Sequence, residues 1–258
     1  MNEITVAVAG QPNAGKSTIF NMLTGSRQHV ANYPGVTVEK RTGKYRYQGN
    51  TVTLVDLPGT YSLTSYSKEE RIARDYLLHE KPAVVLDIVD AANLERNLYL
   101  TFQLEEIGIP LVIALNMMDV AKDRGFAIDA RKLSELLGAA VIPTVGKKNK
   151  GGNEIKEAIL RACRGDHFQP GSVEKTGEND GMNPGVPEKK EPFRVDYGEE
   201  LESILAPLEE RLRKDPRISH RYPARWLAVK LIENDSEARR LVEKIEENGH
   251  GDGSSDLR

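Results

Sequence analysis

Cysteine is almost missing from this 258-residue chain. The single one, Cys163, cannot build a disulfide framework, a thiolate zinc site or an iron–sulfur cluster within one chain. Long apolar runs are missing too; none approaches the roughly 18 to 20 residues that a bilayer crossing needs. Met1-Asn2-Glu3-Ile4 runs straight into a strand-like segment, without the charged leader and apolar stretch of a secretory signal. Nor is there an excess of positive charge. Lysine and arginine number 36 against 39 acidic residues, a net charge of −3, which leaves no surplus to displace counterions from nucleic acid. The expectation is a soluble, cytosolic polypeptide with no nucleic-acid partner held by bulk electrostatics. Its 39% hydrophobic and 29% charged residues suit one large globular domain, or a domain with a small satellite.

Residues 1–164 alternate short apolar runs with segments of helical period. Ile4–Ala9 reads as a buried strand, followed by a glycine-bearing loop and a helix from Lys16 to Thr24. Thr51–Asp56 is a second strand, with Lys44–Tyr47 as its hairpin partner. Ala83–Val89 and Leu111–Asn116 are continuous apolar strands of the kind buried inside parallel sheets. Asn93–Gly108 has helical spacing and ends at a glycine before Pro110, and Asp129–Gly138 is another helix ahead of the short strand Ala140–Pro143. Repeated βα units predict an α/β fold, a mostly parallel sheet flanked by helices. Glycine, proline, glutamate and lysine then dominate 165–192, which reads as a flexible linker or exposed loop. The region 193–248 is helical again, with Leu201, Ile204, Leu205, Leu208 and Leu212 at helical spacing in Tyr197–Lys214, then Trp226–Ile232 and Glu237–Glu247. It predicts a small all-helical domain or an appendage packed on the first, ahead of a polar, glycine-rich tail at 249–258 that reads as disordered.

Three motifs carry chemistry. Gly10-Gln11-Pro12-Asn13-Ala14-Gly15-Lys16-Ser17 matches the phosphate-loop pattern, with Thr18 next in the following helix. Glycines let consecutive backbone amides turn inward on phosphate oxygens, and the helix adds its positive end. Lys16 would reach the β- and γ-phosphates and the Ser17 hydroxyl would ligate Mg²⁺. A chain this long matches by accident on the order of 1% of the time, and a strand before and a helix after make the match firmer. Asp56-Leu57-Pro58-Gly59 ends the next apolar strand. Asp56 there can hold a magnesium-bound water, and the Gly59 amide can meet the γ-phosphate and move when it leaves. Asn116-Met117-Met118-Asp119 gains its meaning from position, since about 0.6 chance matches to N-x-x-D are expected. The Asp119 carboxylate can accept from both N1–H and the exocyclic amine of guanine, a donor pair adenine lacks, while Asn116 would brace the loop and reach the purine edge.

Two segments stay open. Thr37, in Tyr33-Pro34-Gly35-Val36-Thr37-Val38-Glu39, is either a magnesium ligand in the triphosphate state or an ordinary loop threonine. Thr144-Val145-Gly146-Lys147 is either a plain β–α loop or the place where a Val145 or Gly146 amide meets the guanine O6.

As a set, in this order, these motifs resemble the translation-factor-related, Ras-like GTPases with the P-loop NTPase fold. They are similar, more closely, to the cytosolic N-terminal region of the FeoB family, the prokaryotic ferrous-iron transport proteins. Ala31–Glu39, Asp56–Leu63, Ala114–Asp119 and Arg221–Ala228 carry that similarity beyond the phosphate loop, and it covers nearly the whole chain apart from the linker and tail. The resemblance implies a GTP-hydrolysing switch with Mg²⁺, in which Lys16, Thr37, Gly59 and Asn13 take part in catalysis and Asn13 holds a K⁺ ion that accelerates hydrolysis. For Asn13 a purely loop-stabilising role is the alternative. It also implies a GDI-like helical region that influences GDP binding, and a membrane domain that follows in the parent polypeptide, making this chain a piece of a longer transporter on the cytoplasmic side of the inner membrane. A small cytosolic accessory protein and a homo-oligomer belong to the same expectation. Three departures matter. Met117 stands where many GTPases have lysine, a change this family tolerates with guanine selectivity kept; Thr60 stands where Ras-like enzymes place a water-orienting glutamine, which implies slow turnover; and Val145-Gly146 stands where a Ser-Ala pair is usual, which implies weak affinity and fast nucleotide release. The rivals are a free-standing GTPase of the ribosome-assembly or tRNA-modification type and a passive nucleotide-binding module. Direct iron handling is not visible: His29, His79, His167, His220 and His250 are scattered.

Overall fold

A computed structural model describes residues 3–25, 28–64, 66–165 and 195–249. The expected linker, beyond Gly165, and the expected tail, beyond Gly249, lie outside them. Seven strands form one sheet: β1 (Glu3–Gly10), β2 (Gln28–Asn32), β3 (Glu39–Tyr47), β4 (Asn50–Asp56), β5 (Val84–Asp90), β6 (Leu111–Asn116) and β7 (Ala140–Pro143). Their order is β2-β3-β4-β1-β5-β6-β7. The five strands from β4 to β7 pair in parallel, and β2 and β3 add an antiparallel edge.

Strand alternation sorts the core onto two faces. Val6 and Val8 of β1 point with Leu54, Leu86 and Ala114 toward α1 (Lys16–Thr24) and α6 (Gly152–Arg164), where Ile19, Phe20, Ile155 and Ile159 meet them. Ala7 and Ala9 point the other way, with Val55, Val85, Ile113 and Leu115. That face is covered by α2 (Lys68–Glu80), α3 (Leu94–Ile107) and α5 (Ala130–Leu137), with the short α4 (Met118–Asp123) beside them. The expected helix over Asn93–Gly108 is α3, and a 3-10 turn, Ala91–Asn93, precedes it, capped by the Asp90 side chain, which accepts from the Ala92 amide.

The C-terminal helices α7 (Glu199–Lys214), α8 (Pro216–Ser219), α9 (Ala224–Ile232) and α10 (Ser236–Gly249) extend this second core. Trp226 is buried and stacks with Tyr222, whose ring meets His79 of α2 edge-on. Buried Arg74 of α2 pairs with Glu237 of α10 at 2.9 Å and with Asp75 at 2.8 Å. Lys81 donates to the carbonyl of His220. The helical unit therefore sits on the two helices that follow the Asp56 and Asp87 strands, and it is packed on the sheet domain.

Candidate functional site

The chain moves from β1 to β4 on one side and then crosses to β5 on the other, so a crevice opens at the C-terminal end of β1. Four of the sequence-derived segments end there: the phosphate loop after β1, Asp56–Gly59 after β4, Asn116–Asp119 after β6 and Thr144–Lys147 after β7.

The phosphate loop needs its glycines for a visible reason. Gly10 has φ +149, and a Cβ there would come within 2.7 Å of the Ile88 carbonyl. Gly15 has φ +94, and a Cβ there would run into the Asn116 side-chain amide. Asn13 is exposed, with φ +69, a conformation asparagine tolerates better than most residues. Buried Gln11 ties the loop down by donating to the Arg96 carbonyl of α3 at 2.6 Å. Helix α1 starts at Lys16, so its positive end opens on the loop. Ser17 is exposed there and Thr18 half-buried.

Lys16 and Asp56 meet in an ion pair of 2.7 Å. Gly59 follows three residues on and packs in ordinary contact against Pro12 of the phosphate loop. The segment beyond is held by one carboxylate. Glu70 accepts from the Ser62 hydroxyl at 2.9 Å, the Thr64 hydroxyl at 2.6 Å and the amides of Tyr66 and Ser67 at 3.2 Å. Burial works against its charge, but these hydrogen bonds outweigh it and hold the carboxyl below its ordinary range. Thr60 is buried and donates to the Ser62 carbonyl at 2.7 Å. Tyr61 lies over Arg96 at 4.3 Å.

Thr37 is exposed between β2 and β3. The anchor of its loop is a residue the sequence reading passed over. Tyr33 is buried, donates its hydroxyl to the Asp56 carbonyl at 2.8 Å and meets Tyr76 of α2 edge-on at 6.3 Å. Its amide closes the loop on the Val38 carbonyl at 2.9 Å. Burial pushes its hydroxyl well above the ordinary tyrosine value. An aromatic residue flanking a Pro-Gly turn was the available signal.

At the other end of the crevice, Asn116 is buried and uses both polar atoms. Its Nδ2 donates to the Ala14 carbonyl at 2.9 Å, and its Oδ1 accepts from the Gly146 amide at 3.0 Å. It therefore braces the phosphate loop against the last loop, and the Gly146 amide is engaged with it. Val145 is half-buried and bridges to Lys150. Met117 takes φ +61 and lies beside Gly15. Asp119 accepts from the Val120 amide at 3.0 Å and pairs with Lys148 at 2.9 Å. The Lys148 hydrogen bond holds the Asp119 carboxyl below its usual range, and Asp119 raises the Lys148 amine in return. One crevice thus presents a glycine cradle with a lysine at one end and an ionised carboxylate at the other.

Comparison with known proteins gives this geometry a family. The model of the ferrous iron transport protein B family matches residues 4–159, and that of the FeoB cytosolic helical domain matches residues 197–251. A fusion of Fe(2+) transport protein A and Fe(2+) transporter FeoB from Porphyromonas gingivalis is 41% identical over 240 residues, which are 93% of this chain and 26% of that protein. The Fe(2+) transporter FeoB of Escherichia coli is 49% identical over 165 residues, 62% of this chain and 21% of that one. The chain spans about a quarter of the length of such relatives. Among solved structures, the cytosolic domain of the T. maritima FeoB iron transporter in a GDP form superimposes with a TM-score of 0.79 at 34% identity, covering 100% of this chain and 88% of that one. The cytosolic domain of L. pneumophila FeoB gives 0.75 at 35% identity, covering 94% and 86%.

Proposed function

Because this chain belongs to the FeoB family of ferrous iron transport proteins, we propose that its crevice binds GTP and GDP, hydrolyses GTP and reports the nucleotide state to a membrane domain of the parent polypeptide. The observation that carries this reading is Asn116, which ties the phosphate cradle at Ala14 to the loop at Gly146 and so fixes the distance between phosphate and base ends. The T. maritima relative has solved GDP and GMPPNP forms, which supports guanine nucleotide as the ligand.

Gly10, Asn13, Ala14, Gly15, Lys16, Ser17 and Thr18 would hold the phosphates, and Asn116, Met117 and Asp119 the base, with Val145 and Gly146, whose amides donate to Lys150 and Asn116, lining its edge. Ser17, Thr37 and Asp56, the last through water, would supply the oxygen donors that suit Mg²⁺. The cation, when bound, neutralises charge between the β- and γ-phosphates. In the described structure the Lys16 ammonium faces that same carboxylate at 2.7 Å, so the site balances its own charge. Asn13 at the crest of the loop would hold K⁺, which does part of the work of an arginine finger. Thr60 gives its hydroxyl hydrogen to Ser62. The position after Gly59 therefore offers no side-chain base, and slow turnover follows from that.

The proposed route outward runs through α2. Ser67 and Glu70 cap its start beside the γ-phosphate segment, and Arg74 one turn further on pairs with the helical unit at Glu237. Among the described residues no helix is long and apolar enough to cross a membrane; the spanning part is proposed for the remaining length of such a transporter. Fusion to transport protein A in the P. gingivalis relative supports a small cytosolic partner.

The test is GTP turnover by the chain with Mg²⁺ present, beside Lys16→Ala. Slow release of phosphate is expected from the parent. The variant should bind GTP on the order of 10- to 100-fold more weakly, the worth of a charge-assisted contact. Tight GTP binding by Lys16→Ala would defeat the reading.

A further inference from the structure

Asp119 enters nucleotide recognition with both oxygens already engaged. Oδ1 accepts from the Val120 amide at 3.0 Å, and Oδ2 faces the Lys148 ammonium at 2.9 Å. Lys148 is not loosely placed. It ends the 3-10 turn Gly146–Lys148, which is pinned at its start by the Gly146 hydrogen bond to Asn116 and closed by the Val145–Lys150 bridge. Guanine brings two donors, N1–H and the 2-amine, to this same carboxylate. A third donor of full positive charge therefore competes for the edge the base needs.

We propose that Lys148 is a specificity-determining residue of the base site: its ammonium stands in for the guanine 2-amine on Asp119, yields when guanine arrives, and returns when the base lacks that amine. The inference rests on the guanine-nucleotide reading above and deepens it. A carboxylate left with one unpaired oxygen normally rejects a base that lacks the second donor. Here Lys148 repairs that deficit, so the parent protein discriminates less between guanine and hypoxanthine than the carboxylate alone would. Guanine must displace the lysine and hypoxanthine need not, so removal of the lysine favours guanine alone. Lys148 is 60% exposed and Asp119 32%, so the pair is solvent-screened and the effect is modest, up to about fivefold.

The experiment is a competition assay with a fluorescent guanosine diphosphate, displaced by unlabelled GDP or inosine diphosphate, on the chain and on Lys148→Met and Lys148→Arg. In Lys148→Met, GDP should bind more tightly while inosine diphosphate, deprived of the partner the lysine gave Asp119, binds no more tightly than to the parent, so the GDP/IDP ratio rises by up to about fivefold. Lys148→Arg keeps the cation and should keep the parent ratio. An unchanged ratio in Lys148→Met, or weaker GDP binding there, would overturn the role of Lys148 and leave the GTPase reading standing. A parent chain that binds no guanine nucleotide would overturn both.

Discussion

Asn116 donates its side-chain amide to the carbonyl of Ala14, 2.9 Å away and 102 positions back in the chain. The contact exists because Gly15, the next residue, has no Cβ to fill the space. Alanine at Gly15 would have to hold φ near +94 and push Asn116 out of two buried hydrogen bonds.

Gly15→Ala should therefore lower unfolding stability by on the order of 2–5 kcal/mol, from backbone strain plus the unmade bonds, and abolish nucleotide binding. Urea denaturation measures the first and equilibrium dialysis with GDP the second. Asn116→Ala removes the obstacle, so the double variant should cost less than the sum of the two singles. Strict additivity would mean that the two residues are not in conflict.

Asp119→Asn tests the base end. An amide offers one acceptor and one donor where the carboxylate offers two acceptors, so it matches xanthine, which has a carbonyl at the 2-position. Competition with xanthosine and guanosine diphosphates should show preference moving to xanthosine, with guanosine weakened on the order of 10- to 100-fold. Unchanged selectivity would remove the assignment of Asp119.

The strands that carry the site were legible because they are apolar on both faces and end at motif residues: β6 and β7 have the bounds their runs suggest. Helix α1 likewise follows from the phosphate loop and stops at Gly25. Other elements had weaker signals. β2 is an edge strand with no buried residue among its five, so no alternation betrays it. Helix α2 carries a capping box, Ser67 with Glu70, a local signature that the polar start of the segment obscured. Helix α6 repeats Ile155, Ala158 and Ile159 at helical spacing. The partnerships are another matter. Lys16 finds Asp56 across 40 positions, and Tyr33 finds the Asp56 carbonyl across 23. Sheet order creates such pairs, and no local pattern encodes them.

Asn13→Ala should remove stimulation of GTP hydrolysis by KCl over NaCl while leaving GDP affinity within a few-fold. The backbone complicates the result, since alanine at φ +69 costs about 1–2 kcal/mol that asparagine largely escapes. Asn13→Gly removes the side chain without that strain. Both variants should lose the potassium effect; full stimulation in Asn13→Gly would mean that the side chain is not a ligand.

The seam between α3 and α9 should respond to pH. Glu106 is only 8% exposed, and its Oε1 has no hydrogen-bond partner among the described residues. Burial pushes its carboxyl up to about 7; Glu233 adds to the rise, and Lys230 and Arg225 oppose it. Nearby on α3, burial and then the charge of Asp87 raise Glu105 to about 8. A folded carboxyl that titrates above its ordinary 4.5 binds more protons in the folded chain than in the unfolded one. Stability from it is then fully present below 4.5 and lost as pH rises through 7. The melting temperature of the parent should fall between about pH 5 and pH 8. Glu106→Gln keeps the neutral shape at every pH, so its curve should fall less steeply, with the remaining slope left to Glu105 and Asp87. Parallel curves for parent and variant would show that Glu106 is already ionised beneath α9, with its charge met by Lys230 and Arg225.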